Sequence, residues 1–138
     1  MKGNDMVIRE YDPSTLGPID AVDVVALDAS VTVSSVGEFI RSTAALGEIR
    51  LTGVDAERIA ALWRALPPSD QARCHIPPYG LRFWFSGRKL IDASICWQCN
   101  NVYGYAGDER LYFGFDAKAP VSVSLLMQCR HVLPRKGN

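Results

Sequence analysis

Apolar residues in the first half of the chain recur with the period of an amphipathic helix. Four of them stand at positions i, i+3, i+4 and i+7: Ile59, Leu62, Trp63 and Leu66. This spacing places them on one helical face that can pack against a core. Thr52 or Asp55 can cap the N-terminus of this helix. The Pro67-Pro68 pair ends it, because proline has no backbone N–H to donate.

Beyond residue 68 the apolar pattern alternates, which is the period of a β-strand. Apolar side chains occupy every second position over residues 81–85, and the Ser86-Gly87 pair that follows is a turn signal. A second strand returns over residues 90–97. The sequence therefore predicts a hairpin, and it leaves open whether the loop has two residues or the four residues 86–89.

The remaining segments complete a mixed pattern of strands and helices. We predict strands within 22–33, 48–52 and 110–115, an irregular segment over 96–107, a helix after Ser35, and a final helix that Asp116 and Pro120 open and that ends near residue 131. This order of elements predicts a single α+β domain over residues 1–138. Its sheet is largely antiparallel, contains the central hairpin 80–97 plus the strand 110–115, and packs against two or three helices.

The composition is that of one ordinary folded domain. The 138 residues are 48% hydrophobic and 22% charged, which excludes a disordered or fibrous chain. No tract reaches the roughly 18 apolar residues of a transmembrane helix. The N-terminus lacks the apolar stretch of a secretory signal. We therefore expect a cytoplasmic protein whose four cysteines are reduced thiols, with no membrane association.

Charge is unevenly distributed along the chain although the net charge is zero. Residues 1–69 carry six basic and ten acidic side chains, a net of −4, and residues 70–138 carry nine and five, a net of +4. Acidic residues between positions 10 and 28 are candidates for binding a basic protein partner: Glu10, Asp12, Asp20, Asp23 and Asp28. Such a surface repels nucleic acid. Alternatively, these carboxylates are ordinary solvated turn and strand residues.

The cysteines and histidines lie in three short groups that could supply a zinc site: Cys74-His75, Cys96-Trp97-Gln98-Cys99 and Cys129-Arg130-His131. A structural zinc ion needs four such ligands, and a C-x2-C turn supplies two of them. Neighbours in an extended segment point apart, and positions 129 and 131 lie about 200° apart on a helix, so each outer group supplies one ligand. The candidate zinc ligands are Cys96 and Cys99 with Cys74 or His75 and with Cys129 or His131.

Other chemistries find less support in the sequence. Cys96 and Cys99 could form a dithiol redox pair, but the first cysteine of such a pair usually starts a helix, whereas Cys96 ends a predicted strand. No hydrolase motif of the Gly-x-Ser-x-Gly or His-Glu-x-x-His type occurs. Basic and aromatic residues alternate around Trp84, but the chain lacks the basic excess of a nucleic-acid binder. We therefore expect no catalytic residues, no cofactor and no nucleic-acid partner.

Two segments resemble a pattern found in small uncharacterised bacterial proteins. They read Cys74-His75-Ile76-Pro77-Pro78-Tyr79-Gly80-Leu81-Arg82-Phe83 and Cys96-Trp97-Gln98-Cys99-Asn100-Asn101. The resemblance spans about residues 74–115 and implies no catalytic residue. In size, in its acidic stretch and in lacking a catalytic motif, the chain is similar to immunity proteins, which protect bacteria from antagonistic toxins.

The sequence favours a non-enzymatic protein-binding module. We expect an immunity protein that neutralises a basic toxin domain by covering it, with the acidic residues of the range 10–28 at the interface. The alternative is a small zinc-binding or thiol-redox protein that uses Cys96 and Cys99.

Overall fold

The computed structural model describes residues 10–28 and 45–135 of the chain. A short 3-10 helix, Pro13–Thr15, precedes the regular elements. In chain order these are β1 (Ala21–Leu27), β2 (Ala45–Thr52), α1 (Gly53–Arg64), β3 (Tyr79–Phe85), β4 (Arg88–Cys96), β5 (Asn101–Ala106), β6 (Glu109–Gly114) and α2 (Pro120–Val132). The helix predicted after Ser35 falls on residues outside the described ranges, except that residues 45 and 46 belong to β2.

The strands form one antiparallel sheet with the order β2-β1-β3-β4-β5-β6. Strands β2 and β3 both pair antiparallel with β1, which lies between them, so they run parallel to each other, and α1 with residues 65–78 forms the crossover connection that joins them. The predicted α+β class, with a largely antiparallel sheet built on the central hairpin, is confirmed. No helix of the described residues is long and apolar enough to cross a membrane.

Strand β1 is the most deeply buried strand of the sheet, and all seven of its residues are buried. Its sequence, AVDVVAL, is an almost continuous apolar run, which is typical of a strand covered on both faces. Val22, Val24 and Ala26 face the main core, whereas Val25 and Leu27 form a second small buried cluster on the other face.

Helix α1 covers one face of the sheet through the apolar stripe that the sequence predicts. Ile59 and Trp63 are buried, and Leu66 is buried just beyond the helix end. Of the two predicted caps, Thr52 stands at the N-cap without a side-chain hydrogen bond, and Asp55 lies inside the first turn.

The predicted hairpin is formed by β3 and β4 and has the shorter of the two possible loops. Ser86 and Gly87 have φ values of 50° and 77°, the left-handed conformation at both central positions that a two-residue type I′ turn requires. Trp84 therefore lies opposite Lys89, and the extra residue between Lys89 and Ile91 forms a bulge.

The prediction of an irregular segment over residues 96–107 is wrong for its second half, which is β5. Small and polar residues hide the strand signal there. Gly104 lies so close to β4 that a Cβ on it would be 2.1 Å from the backbone oxygen of Asp92. A glycine in this strand therefore marks a close approach of two backbones and not a break in the sheet.

The final helix begins later than the predicted opening at Asp116. Ala119 is its N-cap residue and Pro120 its first helical residue, which fits the preference of proline for that position. Asp116 instead forms a turn before the helix, where its side chain accepts a hydrogen bond from the backbone N–H of Lys118 at 3.0 Å.

Candidate functional site

The sheet face opposite the helices carries a row of charged and aromatic side chains, which we call the open face. Directly paired residues of antiparallel strands project to the same side, so the register places this row across all six strands. Its members are Arg50, Asp23, Arg82, Asp92, Tyr105 and Arg110. Trp84 lies two residues after Arg82 on β3, on the same face of the sheet, and pairs with Lys89 of β4.

Asp23 is the buried centre of this row. Its carboxylate accepts hydrogen bonds from the Arg50 guanidinium at 2.7 and 3.1 Å and from the Trp84 indole N–H at 2.9 Å. Burial by itself would raise the pKa of the Asp23 carboxyl, but these hydrogen bonds outweigh it and hold the pKa below its ordinary value. The charge of Asp23 is therefore satisfied within the chain.

The positive side chains of the row are shared among several carboxylates. The Arg82 guanidinium lies 3.7 Å from Asp23 and 3.4 Å from Glu48, and the Lys89 ammonium lies 2.9 Å from Asp92. Arg50 also stacks over the Trp84 ring at 4.9 Å from its centroid. These contacts fix the orientation of the larger side chains on the open face.

Residues 69–78 follow α1 and precede β3 in the chain, and they cross one end of the open face. We call this segment the strap. The backbone N–H of Ser69 donates to the Gly114 carbonyl at 3.2 Å, and that of Ala72 donates to the Cys99 carbonyl at 2.9 Å. A Cβ on Gly114 would lie 2.2 Å from the Ser69 oxygen, so only glycine lets the strap pass this close to β6.

A disulfide bond between Cys74 and Cys99 ties the strap to the turn after β4, with the two Cα atoms 5.5 Å apart. The disulfide of this structure is therefore not the Cys96–Cys99 pair that the alternative of a dithiol redox site would use. The expectation of four reduced thiols also fails for Cys74 and Cys99, whereas Cys96 and Cys129 are free and buried.

His75 inserts from the strap into the polar end of the open face. One ring nitrogen lies 2.7 Å from the Asn101 amide oxygen and the other 2.7 Å from the Ser94 hydroxyl, and the ring stacks on Tyr103 at 4.2 Å. The Asn101 amide nitrogen donates to the strap carbonyls of Ala72 and Cys74, so its oxygen is the acceptor. The Nδ1–H of neutral His75 therefore donates to Asn101, and Nε2 accepts from Ser94.

Ser94, His75 and Asn101 have the hydrogen-bond order of a hydrolytic triad, but their surroundings do not suit one. A nucleophilic hydroxyl must reach substrate, and Ser94 has no exposed surface. The general base of such a triad would be His75, which belongs to the strap. A movement of the strap that exposed Ser94 would therefore also carry His75 away from Ser94. We interpret the three residues as the network that holds the strap.

Apart from His75, no member of this network is evident as a site residue from the sequence. The alternation over residues 101–105 carries the available signal, since it places Asn101 and Tyr103 on one face of a strand. Their link to the strap depends on a chain crossing that local patterns do not encode.

Burial of His75 makes stability pH-dependent. Burial lowers the pKa of His75 below 6.5, and the hydrogen bond to Asn101 opposes this in part. Below pH 6.5 the unfolded chain then binds more protons than the folded chain, so stability falls as the pH is lowered, by about 1.4 kcal/mol for each pKa unit of difference.

Urea unfolding at pH 7.5 and 5.5 checks this expectation. The His75→Gln variant should lose most of the pH dependence that the parent chain shows. His131→Gln, which replaces the exposed second histidine, is the matched control and should retain it. Equal pH dependence in the parent and in His75→Gln would contradict the assignment.

The candidate zinc ligands do not form a four-ligand site. Cys129 lies in the main core, where burial raises the pKa of its thiol to about 12, and His131 is exposed on the other side of α2. The disulfide occupies two of the remaining sulfurs, and both ring nitrogens of His75 have partners. Within residues 10–28 and 45–135 no group of three or more His, Cys, Asp or Glu side chains could hold a metal ion.

The five acidic candidates do not form a single surface. Asp20 and Asp28 stand at opposite ends of β1, and Asp23 is buried in its ion pairs. Asp20 accepts a hydrogen bond from the Ser86 N–H at 2.9 Å and so supports the β3–β4 turn. Asp12 caps the 3-10 helix through Ser14, whose hydrogen bonds lower the pKa of the Asp12 carboxyl.

Glu10 accepts a hydrogen bond from the Gln71 amide at 3.5 Å and borders a groove of about 510 Å³ beside α1. Asp28 follows β1 and is half-buried. The binding role of the five residues stays a prediction, although three of them already serve the fold.

The fold and site define a small α+β protein with a disulfide-tied strap over a polar sheet face. No family model, no curated protein and no solved structure matches the chain.

Proposed function

We propose that the chain is a non-enzymatic protein-binding module that contacts its partner through the open face. The observation that carries the proposal is the composition of that face. Tyrosine, tryptophan and arginine are the residues enriched at the energetic centres of protein interfaces. Here they recur along a single surface: Arg50, Arg82, Trp84, Tyr105, Arg110 and Tyr112.

The ion pairs of the open face support this role because they orient the large side chains before binding. Side chains that are already ordered lose less conformational entropy when a partner binds. Arg50, for example, is held by both Asp23 and Trp84 while about half of its side chain stays exposed. A preorganised surface of this kind suits a folded partner.

The more specific proposal is that the partner is a toxin domain and the chain an immunity protein in the cytoplasm. Support for it is the absence of a usable catalytic arrangement in the described residues and the similarity in size and acidic sequence to such proteins. An alternative thiol function finds support in the Cys74–Cys99 disulfide and the free thiol of Cys96.

Native mass spectrometry of the chain, purified gently from the organism that encodes it, tests the proposal. We expect a complex with one protein partner of defined mass. Tyr105→Ala or Arg110→Ala should weaken a reconstituted complex about 30-fold if the residue is a hot spot. Met127→Ala is the control, because this exposed side chain lies on α2, on the helix side of the sheet.

Two outcomes would overturn the proposal. One is a bare chain recovered without any partner, and the other is a complex that the open-face variants do not weaken. The immunity role has its own test, since the identified partner should arrest growth when expressed alone and not when this chain is co-expressed. A partner that does not arrest growth would be compatible with the binding function but would contradict the toxin interpretation.

A further inference from the structure

Three of the four cysteines meet at one place beneath the strap. The Cys96 sulfur accepts hydrogen bonds from the backbone N–H groups of Cys99, at 3.1 Å, and Ile76, at 3.4 Å. Cys99 is one half of the disulfide, and Ile76 is two residues from Cys74, the other half. The free thiol is thus held beside both halves of a disulfide to which it is not bonded.

The three sulfur-bearing residues differ in their access to solvent. Cys96 and Cys99 have no exposed surface, whereas Cys74 is exposed on the strap. The fourth cysteine, Cys129, lies in the main core and does not belong to this cluster. A reaction among the three can therefore change what the surface presents and leave Cys96 and Cys99 buried before and after it.

We propose that Cys74, Cys96 and Cys99 form a thiol–disulfide exchange site that delivers a free Cys74 thiol to the surface. A transient opening of the strap lets the Cys96 thiol give its proton to solvent, and the resulting thiolate attacks the Cys99 sulfur. The Cys96–Cys99 bond forms as the Cys74–Cys99 bond breaks, and Cys74 leaves as a thiolate that takes a proton from solvent. One disulfide and one thiol are present before and after, so no oxidant or reductant is needed.

The product disulfide suits the local chain. Cys96 ends β4 and Cys99 lies in the turn that follows, so the pair is three residues apart across a tight connection. Disulfides join Cα atoms about 4.4 to 6.8 Å apart, a range that the ends of a tight turn satisfy.

The exchange would release the covalent tie on the strap while leaving its polar contacts in place. His75 and Asn101 would still hold the strap through hydrogen bonds. The new Cys74 thiol would stand on the exposed side, where it can react with an electrophile or with the disulfide of another molecule. The site is thus a modification site as well as a switch in the strap.

Labelling of the oxidised, folded chain with N-ethylmaleimide, without reductant, tests the exchange. Trypsin cuts after Arg73, Arg82, Lys89 and Arg110, so the original disulfide joins peptide 74–82 to peptide 90–110. Exchange separates them, because the new disulfide lies within 90–110 and the label remains on 74–82. We expect labelled Cys74 to accumulate with time in the parent chain.

Cys96→Ser removes the attacking thiol and should lower the Cys74 labelling rate by at least about tenfold. Cys96→Ala repeats the test with a different side chain, and thermal melts confirm that both variants are folded. Cys129→Ser is the matched control, because it also removes a buried thiol but should label at the parent rate. Equal Cys74 labelling with and without Cys96, no Cys74 labelling in the parent chain, or labelling confined to Cys96 would each overturn the proposal.

Discussion

Replacing Trp63 with alanine is expected to destabilise the protein by about 3 to 5 kcal/mol. Trp63 has no exposed surface. The centroid of its ring lies 5.2 Å from the ring centroid of Phe83 and 5.5 Å from that of Phe113. It therefore joins α1 to two strands, β3 and β6, that are not neighbours in the sheet. Loss of the indole would leave a cavity that those strands cannot close together.

The free energy of unfolding from urea titration measures this effect. Domains of this size are commonly stable by about 5 to 15 kcal/mol, so Trp63→Ala would remove a large share of the total. Val54→Ala is the matched control on the same helix, because Val54 is 72% exposed, and its effect should stay within about 0.5 kcal/mol. A Trp63→Ala effect below about 1 kcal/mol would contradict the placement of this ring in the core.

The helix that contains Trp63 could be predicted because its signal is local. Four apolar residues at helical spacing and two prolines fix its face and its end within about one turn. The β3–β4 hairpin was predictable for the same reason, since alternation and a Ser-Gly turn lie within one short segment. The register of the hairpin was not predictable, because the sequence is compatible with both loop lengths and does not show that Leu90 forms a bulge.

The candidate site was less predictable because it depends on contacts between distant parts of the chain. The C-x2-C spacing suggested a pair, yet Cys99 bonds to Cys74, 25 residues away in sequence. The position of Cys74 is set by the strap, whose path depends on Gly114 and on the Asn101 side chain. The C-x2-C motif identified two residues of the site, but Cys99 forms its disulfide bond with Cys74 and not with Cys96.

Charge was misleading for a related physical reason. The acidic range 10–28 suggested a binding surface, but charge along the sequence does not show which carboxylates are neutralised in space. Asp23 meets Arg50 from β2 and Arg82 from β3, two strands that flank β1 on either side. The arginines that follow later in the chain therefore cancel part of the early acidic excess within the sheet itself.

Replacing Gly104 with alanine is expected to destabilise the protein by about 3 kcal/mol, the upper end of the usual range for an overpacked site. The added Cβ would stand 2.1 Å from the Asp92 oxygen and 2.5 Å from the Ala93 Cα, and backbone atoms cannot turn away as a side chain can. Strands β4 and β5 would have to separate, which would strain the hydrogen bonds between them and disturb the turn that carries Cys99.

Gly17→Ala is the matched control, since a Cβ there meets nothing within 4 Å and reduces the freedom of the unfolded chain. Thermal and urea unfolding of the two variants should therefore give effects of very different size, and equal stabilities would contradict the close approach of β4 and β5.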